Sequence, residues 1–309
     1  MRILGYVGSY NEKIDRTLKA LMAQTYPVNH ILVVDNASTE PISVPADLTS
    51  RVTVIRTDKN IGPSSAVTAG LRYAMQHEYD WMWLIESDGA PHEDAMEKLV
   101  TLYQSFPPET RSSIGILSST QVLLPTPKLY HGRRMTPGGP RFPRIDPLVP
   151  YCESDSMNWN GIMFRLRAVR AVGLPRLGKN GYWEDLSYDY GDSEFSYRIR
   201  AAGYKVLVHR YSLVDQRVGR SKYTTVFGRV LVSTNHPPFR KYLFFRNLIY
   251  FWIHIYPRRN WLLFCTWFFY RFAATMFGMV LLEDQALPKI VASIRGLWDG
   301  LYKRLDRKY

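Results

Sequence analysis

Cysteine is nearly absent: Cys152 and Cys265 are the only two, far apart and without the spacing of metal ligands. A disulfide framework and a structural zinc are both disfavoured, and a reducing compartment is expected. Glycine-rich phosphate loops are missing as well, since neither a Walker loop nor the GxGxxG dinucleotide fingerprint occurs. P-loop nucleotidases and nicotinamide dehydrogenases thereby lose most of their support. The amino terminus, MRILGYVGSYN, turns polar too early for a signal peptide, so a cytoplasmic protein is expected. Acid is lacking over one long stretch, with no Asp or Glu between Asp215 and Glu283.

That gap skews the charge. Residues 1–215 hold 24 Lys/Arg against 23 Asp/Glu, whereas residues 216–309 hold 16 against 4, within a net charge of +13. A nearly neutral first part is followed by a basic, aromatic tail, which suits an anionic surface. Its arginines are interleaved with too much aliphatic surface for a nucleic-acid-binding module, so no nucleic acid partner is expected. With 46% hydrophobic and 14% aromatic residues, the 309-residue chain can bury a substantial core. One large α/β domain with an appended helical part accommodates it.

Ile3 to Gly8 reads as a first strand. Ile14, Leu18, Leu21 and Met22 recur at helical spacing, in a helix ending near Gln24, and His30 to Val34 is a second strand. Strand, helix and strand in close succession form a βαβ unit, which predicts a parallel sheet with a right-handed crossover. Asp35 falls at a strand's carboxyl end, where it accepts hydrogen bonds either from a base or ribose or from its own turn. Arg51 to Arg56 is a third strand. Asn60-Ile61-Gly62-Pro63-Ser64-Ser65 then opens a helix over Ala66 to Met75, with N-terminal chemistry also suited to a phosphate.

Trp81 to Ile85 is apolar enough for a fourth, buried strand, and it releases Glu86, Ser87 and Asp88 into a Gly-Pro turn. Two carboxylates one residue apart are hard oxygen ligands, placed where open α/β sheets hold their ligands; a magnesium or manganese ion there would bridge phosphates. An isolated E-x-D is more often an ordinary polar turn, so the rest of the chain has to decide. Glu93 to Phe106 is the next helix and Ile114 to Ser119 a fifth strand. Pro125 to Pro150 dissolves into Pro, Gly and Arg, an irregular loop whose arginines are candidates for diphosphate oxygens. Met157 to Phe164 is another strand approach, with Trp159 and two asparagines at its entrance, and Arg167 to Val172 is a short helix. Glu184, Asp185, Asp189, Asp192 and Glu194 fall within eleven residues, and a helix continues over Phe195 to Ala202. An Asp held ionised at a helix N-terminus is suited to take a proton from a sugar hydroxyl.

The order of SYNE, VVDNAST, NIGPSSAVTAGL, WLIESDGAP, WNGIMFR, VGLP and YDYGDSEFSYRIRAAGYKV resembles the family 2 glycosyltransferases with a GT-A fold. The nearest flavour is that of bacterial rhamnosyl- and galactofuranosyltransferases of surface polysaccharide synthesis. The resemblance covers about residues 1–220 and implies a catalytic domain there, a Rossmann-like, mostly parallel sheet flanked by helices; residues 221–309 are expected to form a helical membrane-associating region. It implies that Ser9, Asn11, Asp35 and Asn36 line the nucleoside pocket of a dTDP- or UDP-sugar, with Asn60 and Gly62 near the nucleotide sugar. Glu86, Ser87 and Asp88 would occupy the DxD position, with Asp88 the direct ligand of Mg or Mn. Trp159, Asn160 and Gly161 would border donor sugar and acceptor. Asp192 matches the general base, with Glu194 orienting or binding the acceptor, in a single displacement with inversion. Two departures stand out. Glu86 replaces the usual Asp, and Gln216 stands near the place where family members often carry a metal-binding His. His209, the nearest histidine, reads as a strand end.

The tail carries two apolar segments, Arg240 to Ile255 and Trp261 to Leu282, joined by Pro-Arg-Arg. The second, at 22 residues, is long enough to cross a bilayer, but Arg271 at its middle makes spanning costly. Aromatics mixed with Arg suit helices lying in the headgroup plane of an anionic membrane. Burial against the core or a second copy is the alternative, and self-association stays open. A basic helix, Lys289 to Leu305, ends the chain. The expectation is a peripheral protein on the inner face of the cell membrane, meeting a lipid-linked glycan acceptor. A non-catalytic nucleotide-sugar-binding protein with a degenerate metal site is the alternative to the enzyme.

Overall fold

The computed structural model describes residues 1–124, 127–175, 189–217, 222–226, 229–233, 235–257, 259–305 and 307. Glu184 and Asp185 lie outside the described residues. The strands are β1 (Ile3–Ser9), β2 (His30–Asp35), β3 (Val52–Arg56), β4 (Trp81–Glu86), β5 (Gly89–Pro91), β6 (Ile114–Leu124) and β7 (Lys128–Tyr130), followed by β8 (Arg134–Thr136), β9 (Gly139–Arg141), β10 (Tyr151–Glu153), β11 (Ile162–Arg165), β12 (Lys205–Arg217), β13 (Lys222–Val226) and β14 (Arg229–Ser233). The helices are α1 (Asp15–Met22), α2 (Pro63–Gln76), α3 (Ala95–Ser105), α4 (Pro108–Ser113), α5 (Leu166–Val172), α6 (Gly191–Ala201), α7 (Pro238–Tyr250), α8 (Trp261–Leu282) and α9 (Ala286–Leu301), with a π-helical turn at Phe251–Ile255.

Two compact units divide the chain: Met1–Arg134, Phe142–Arg176 and Gly191–Arg217 form the first, and Met135–Arg141, Leu177–Tyr190 and Val218–Tyr309 the second. The first is built on a ten-stranded sheet in the order β10-β12-β6-β11-β4-β1-β2-β3, with β5 along β12 and β7 along β6. β3, β2, β1 and β4 run parallel, as do β6 and β12, while β11 runs antiparallel between β4 and β6. Alternation in β4 explains its unbroken apolar run. Met82 and Leu84 enter the core on one face of the sheet with Tyr6, Leu32 and Phe195; Trp81, Trp83 and Ile85 enter the other with Leu18, Leu21 and Leu99. A parallel strand covered on both faces has no side to offer water, so its sequence shows no polar alternation.

Several element ends differ from the sequence reading. β6 runs on to Leu124 instead of stopping at Ser119, because the polar residues that follow are buried and bonded: Gln121 donates from Nε2 to the Asn160 carbonyl at 2.7 Å. α6 starts at Gly191 rather than Phe195, taking Asp192 and Glu194 into its first turn, where carboxylates complement the helix dipole. Residues 125–150 contain β7, β8 and β9 where an irregular loop was expected. Nor is Arg134 available there for a diphosphate, since it pairs with Glu153 at 3.5 Å and Asp155 at 3.2 Å, both shared with Arg200.

The second unit is held by buried charge. Glu283 accepts from Lys241 at 2.7 Å and Lys289 at 2.9 Å, and also from the Ser233 hydroxyl. Burial alone would raise the Glu283 pKa, but these three donors outweigh it and hold the carboxyl below its ordinary value. The network ties the end of β14, α7 and the start of α9 to the residue that caps α8.

Candidate active site

The strand order reverses direction at β1, which has β2 on one side and β4 on the other. Open α/β sheets bind ligands outside the carboxyl ends of strands at such a switch point. Register places the predicted residues in a row there: Ser9 lies opposite Asp35, Asp35 opposite Arg56, and Gly8 opposite Glu86. Five of the predicted nucleotide-sugar residues are then bonded into the neighbouring loops. The Ser9 hydroxyl donates to the Glu12 carbonyl at 2.9 Å, the Ser38 hydroxyl accepts from the Asn11 amide at 2.8 Å, and Asn11 Oδ1 accepts from Thr39 at 2.7 Å. Asn36 donates to Asn60 Oδ1 at 3.1 Å and accepts from the Ile61 amide at 2.8 Å; Asn60 Oδ1 also accepts from the Gly62 amide at 2.9 Å.

Asp35 differs from its predicted part. It is 1% exposed, and its carboxylate accepts from the Ser38 amide at 2.9 Å, the Ile42 amide at 3.3 Å and Arg56 Nη1 at 2.6 Å. Of the two alternatives, its own turn takes these bonds. Burial pushes the Asp35 pKa up, and the Ser38, Ile42 and Arg56 donors more than reverse it, leaving the carboxyl below its usual value. A depressed carboxylate contributes stability above the unfolded-state pKa and loses it as pH falls through the folded one. Asp35→Asn is therefore expected to lower the melting temperature at neutral pH, with the gap to wild type closing below about pH 4. Arg56→Ala should destabilise by about 1–2 kcal/mol, near the low end for an unpaired buried acceptor. Arg56 is 40% exposed, so water already screens that pair. Thermal melts across pH check both.

Around Glu86-Ser87-Asp88 the fold gathers residues from distant segments. Thr17 of α1 is fully buried, with its hydroxyl 2.9 Å from the Ser87 carbonyl and 2.6 Å from that of Gly89, which pins the turn. Asn160 Oδ1 accepts from the Glu86 amide at 3.2 Å, and Gln216 of β12 donates from Nε2 to Glu86 Oε2 at 3.0 Å. Gly161 sits at φ +78°, where a side chain is strained, and its backbone bridges β4 and β6 through Leu84 and Ser119. Asp88 Oδ1, Gln216 Oε1, Asn160 Nδ2 and Trp159 Nε1 are all buried without a hydrogen-bond partner among the described residues. Native folds rarely leave such atoms unsatisfied, and Asn160 and Gln216 both reach Glu86 at the end of β4, beside Asp88, which makes these three candidates for a ligand. Trp159 itself, 6% exposed, packs its ring into the core with Phe164 and Phe195.

Burial pushes the Asp88 pKa up to about 6; Glu12 adds to the rise, while its own backbone amide, Arg16 and Arg217 pull it back. Arg16 and Arg217 are residues that sequence reasoning passed over. Arg16 pairs with Asp215 at 3.2 Å, so its position depends on β12 and no local motif reveals it. A divalent cation fits this chemistry. Asp88, Glu86 and the Gln216 amide offer a few hard oxygens, and magnesium or manganese takes its remaining ligands from phosphate and water. Among the described residues no three His, Cys, Asp or Glu side chains gather as a metal cage. His209 lies within β12, its Nδ1 accepting from the Tyr211 and Ser212 amides at 3.1 Å, and burial lowers its pKa to about 4. It is a neutral structural histidine.

Asp192 stands half-buried in the first turn of α6, its Oδ1 accepting from the Ser193 amide at 2.6 Å. Its charge is felt by Tyr130 of β7, whose phenol is raised chiefly by burial, against Arg133, with Asp192 adding to the rise. Tyr130 lies opposite Gln121, and Gln121 bonds the Asn160 carbonyl, so β6 and β7 link the surroundings of Asp192 to those of Asn160. Glu194 turns inward. It is 2% exposed, and its two oxygens accept from Arg198 at 2.9 and 3.2 Å, while Arg198 also donates to the carbonyls of Val172 and Leu174. Its observed bonds dock α6 onto the end of α5 and leave an acceptor-binding part without geometric support. A cavity of about 300 Å³ lined by Asp94, Glu97, Lys98, Thr101 and His209 contains none of the predicted residues.

Residues 6–109 match the family described as Glycosyl transferase family 2. Over that stretch the chain is similar to the family 2 glycosyltransferases. It is 25% identical over 174 residues to the galactofuranosyltransferase GlfT1 of Mycobacterium tuberculosis, in both the CDC 1551 / Oshkosh and ATCC 25618 / H37Rv strains. That match takes in 54% of this chain and 55% of the relative, so the chain spans about half the length of the curated relatives it matches. Among solved structures, S. aureus TarS 1-349 superposes with a TM-score of 0.59 at 13% identity, over 99% of this chain and 82% of that one. GalNAc-T7 with UDP, GalNAc and Mn2+ gives 0.56 at 14% identity, over 81% and 47%. At those identities the two likenesses bear on the fold alone, and the mostly parallel sheet flanked by helices is the GT-A architecture expected from the motifs.

Proposed function

We propose that the protein is an inverting, divalent-metal-dependent glycosyltransferase. It would move a sugar, rhamnose or galactofuranose, from a dTDP- or UDP-linked donor to a lipid-linked or polysaccharide acceptor, at the inner face of the cell membrane. The observation that carries this reading is the cluster of buried, unpartnered polar atoms at the end of β4, Asp88 Oδ1 with Gln216 Oε1 and Asn160 Nδ2. Galactofuranose draws support from the name of the mycobacterial relative, and a divalent cation from the Mn2+ in the GalNAc-T7 structure.

In this reading Asp88 and Glu86 hold magnesium or manganese, which neutralises charge on the departing nucleoside diphosphate when bound. Arg16 and Arg217 add positive charge at the same end of the sheet. Asn11, Asn36 and Asn60 keep the loops beside the nucleoside rigid, so the donor meets a preorganised wall. The Asp192 carboxylate takes the proton of an acceptor hydroxyl as that oxygen attacks the anomeric carbon opposite the leaving phosphate. One displacement inverts the centre, and no covalent sugar intermediate forms.

The test is release of nucleoside diphosphate from a panel of UDP- and dTDP-sugars, with manganese or magnesium and a membrane lipid fraction as acceptor source. Turnover of one donor supports the reading. The alternative, a non-catalytic nucleotide-sugar-binding protein with a degenerate metal site, rests on Glu86 standing where the family's motif has Asp; it predicts donor binding with no turnover across the whole panel.

A further inference from the structure

The second unit exposes apolar surface in an ordered pattern. α9 packs one face against α7. Gly296 and Gly300 there lie so close that a Cβ on either would collide with the carbonyl oxygen of Tyr242 or Arg246. With that side turned inward, Leu287, Val291, Ile294, Trp298 and Leu301 recur at three- and four-residue steps along the opposite side, in one stripe. They are bare: Leu287 is 71% exposed, Val291 57%, Ile294 54% and Trp298 55%. α8 adds exposed Leu262, Phe269, Phe277 and Val280 along its own length. Only 11% of its most apolar window is buried. Monomeric soluble proteins rarely leave a whole helical stripe of large apolar side chains bare.

Charge identifies what covers it. Glu283 is buried beneath two lysines, Asp299 is 1% exposed and accepts from Tyr242 at 3.0 Å, and Asp284 accepts from Asn235 at 3.2 Å. Glu283 and Asp299 are thus engaged internally and Asp284 alone of the three is exposed, whereas Arg295 and Lys303 are exposed on or just beyond α9, as is Arg307, which reaches Asp299 at 3.5 Å. A second copy seated on the stripe would bring these like charges together. A nucleic acid would leave the stripe bare. An anionic bilayer takes both: Leu, Val and Ile enter the acyl boundary, Trp298 and Tyr302 sit at headgroup level, and the cations meet lipid phosphate.

We infer that the exposed stripe of α9, with the exposed apolar side of α8, is a docking surface for an anionic lipid bilayer, entered in the headgroup plane. This deepens the peripheral location proposed above and is independent of the transfer chemistry. It also gives α9 an apolar role beyond the electrostatic one that its basic residues announce.

The experiment is co-sedimentation of the full chain with phosphatidylcholine vesicles and with vesicles that also contain phosphatidylglycerol. The wild type should bind the anionic vesicles and weaken as salt is raised. A V291E/I294E/W298E variant should lose at least about tenfold in apparent affinity. R295E/K303E, which leaves the stripe intact, should lose affinity chiefly at low salt. Circular dichroism and UDP binding in the presence of manganese check that each variant is folded. Unchanged sedimentation of the stripe variant overturns the inference, as does a wild type that binds neither vesicle. A dimer by light scattering that dissociates in the stripe variant and persists on vesicles assigns the surface to a second copy and overturns it too. Vesicle binding without sugar transfer from any donor leaves the docking surface standing and removes the catalytic reading.

Discussion

Asp192→Asn is expected to lower sugar transfer by about 10²–10⁴-fold, the range that a positioned general base supplies, while leaving donor binding intact. The asparagine is isosteric and keeps an oxygen for the Ser193 amide that Asp192 Oδ1 now accepts at 2.6 Å, so α6 should begin unchanged. What it loses is a carboxylate able to take a proton. Single-turnover transfer with saturating donor, paired with calorimetric donor binding, separates the two effects. Turnover at the wild-type rate would sink the base assignment. Loss of donor binding in step with turnover would instead move Asp192 into the donor site.

Asp88→Asn should remove most of the metal-dependent donor affinity and lower kcat/KM by about 10²–10³-fold, equivalent to a few kcal/mol of charge stabilisation. Its pH behaviour is the sharper test. In the free protein the Asp88 carboxyl is pushed up to about 6 by burial, and binding a cation requires the ionised form. Manganese-dependent binding of UDP should therefore be full well above pH 6 and fall as pH drops through it. The sign for stability is opposite: a carboxyl with a raised native pKa takes up its proton more readily folded than unfolded, so this group favours the fold as pH falls. Asp88→Asn should abolish both dependences. Persistence of the pH profile in that variant would mean that another group holds the metal.

How much was readable in advance depends on how far apart the interacting residues are. β1, β2, β3 and β4 announce themselves as short apolar runs, each closing on Ser, Asp, Arg or Glu, and the helices between β1 and β2 and between β3 and β4 point to a parallel sheet. Ser9, Asn11, Asp35, Asn36 and Glu86 therefore fall at one edge by topology alone. β11 was legible as a strand but not as an antiparallel insertion between β4 and β6, because strand order depends on pairing across the whole sheet. Gln121 escaped notice since a polar residue after Ser119 looks like the end of a strand; it is buried only because the carbonyls of Asn158 and Asn160 wait for its amide. Glu194 looked like a site residue for the converse reason. Its partner Arg198 is one helical turn away, yet the docking onto α5 that makes the pair buried is invisible locally.

By itself the sequence determined the chemical types present and their local periods: oxygen ligands at the end of a buried strand, a carboxylate opening a helix, and an acid-free aromatic tail. Those are properties of neighbouring residues, and backbone geometry converts them directly into faces and ends. Only the tertiary structure decided that Asn160 and Gln216 reach Glu86 across 74 and 130 residues. It alone turned the Asp35 carboxylate into its own loop and showed which face of α9 is bare. Hydrogen bonds and burial between distant segments are set by packing, and no local pattern encodes which partner a polar atom will find or fail to find.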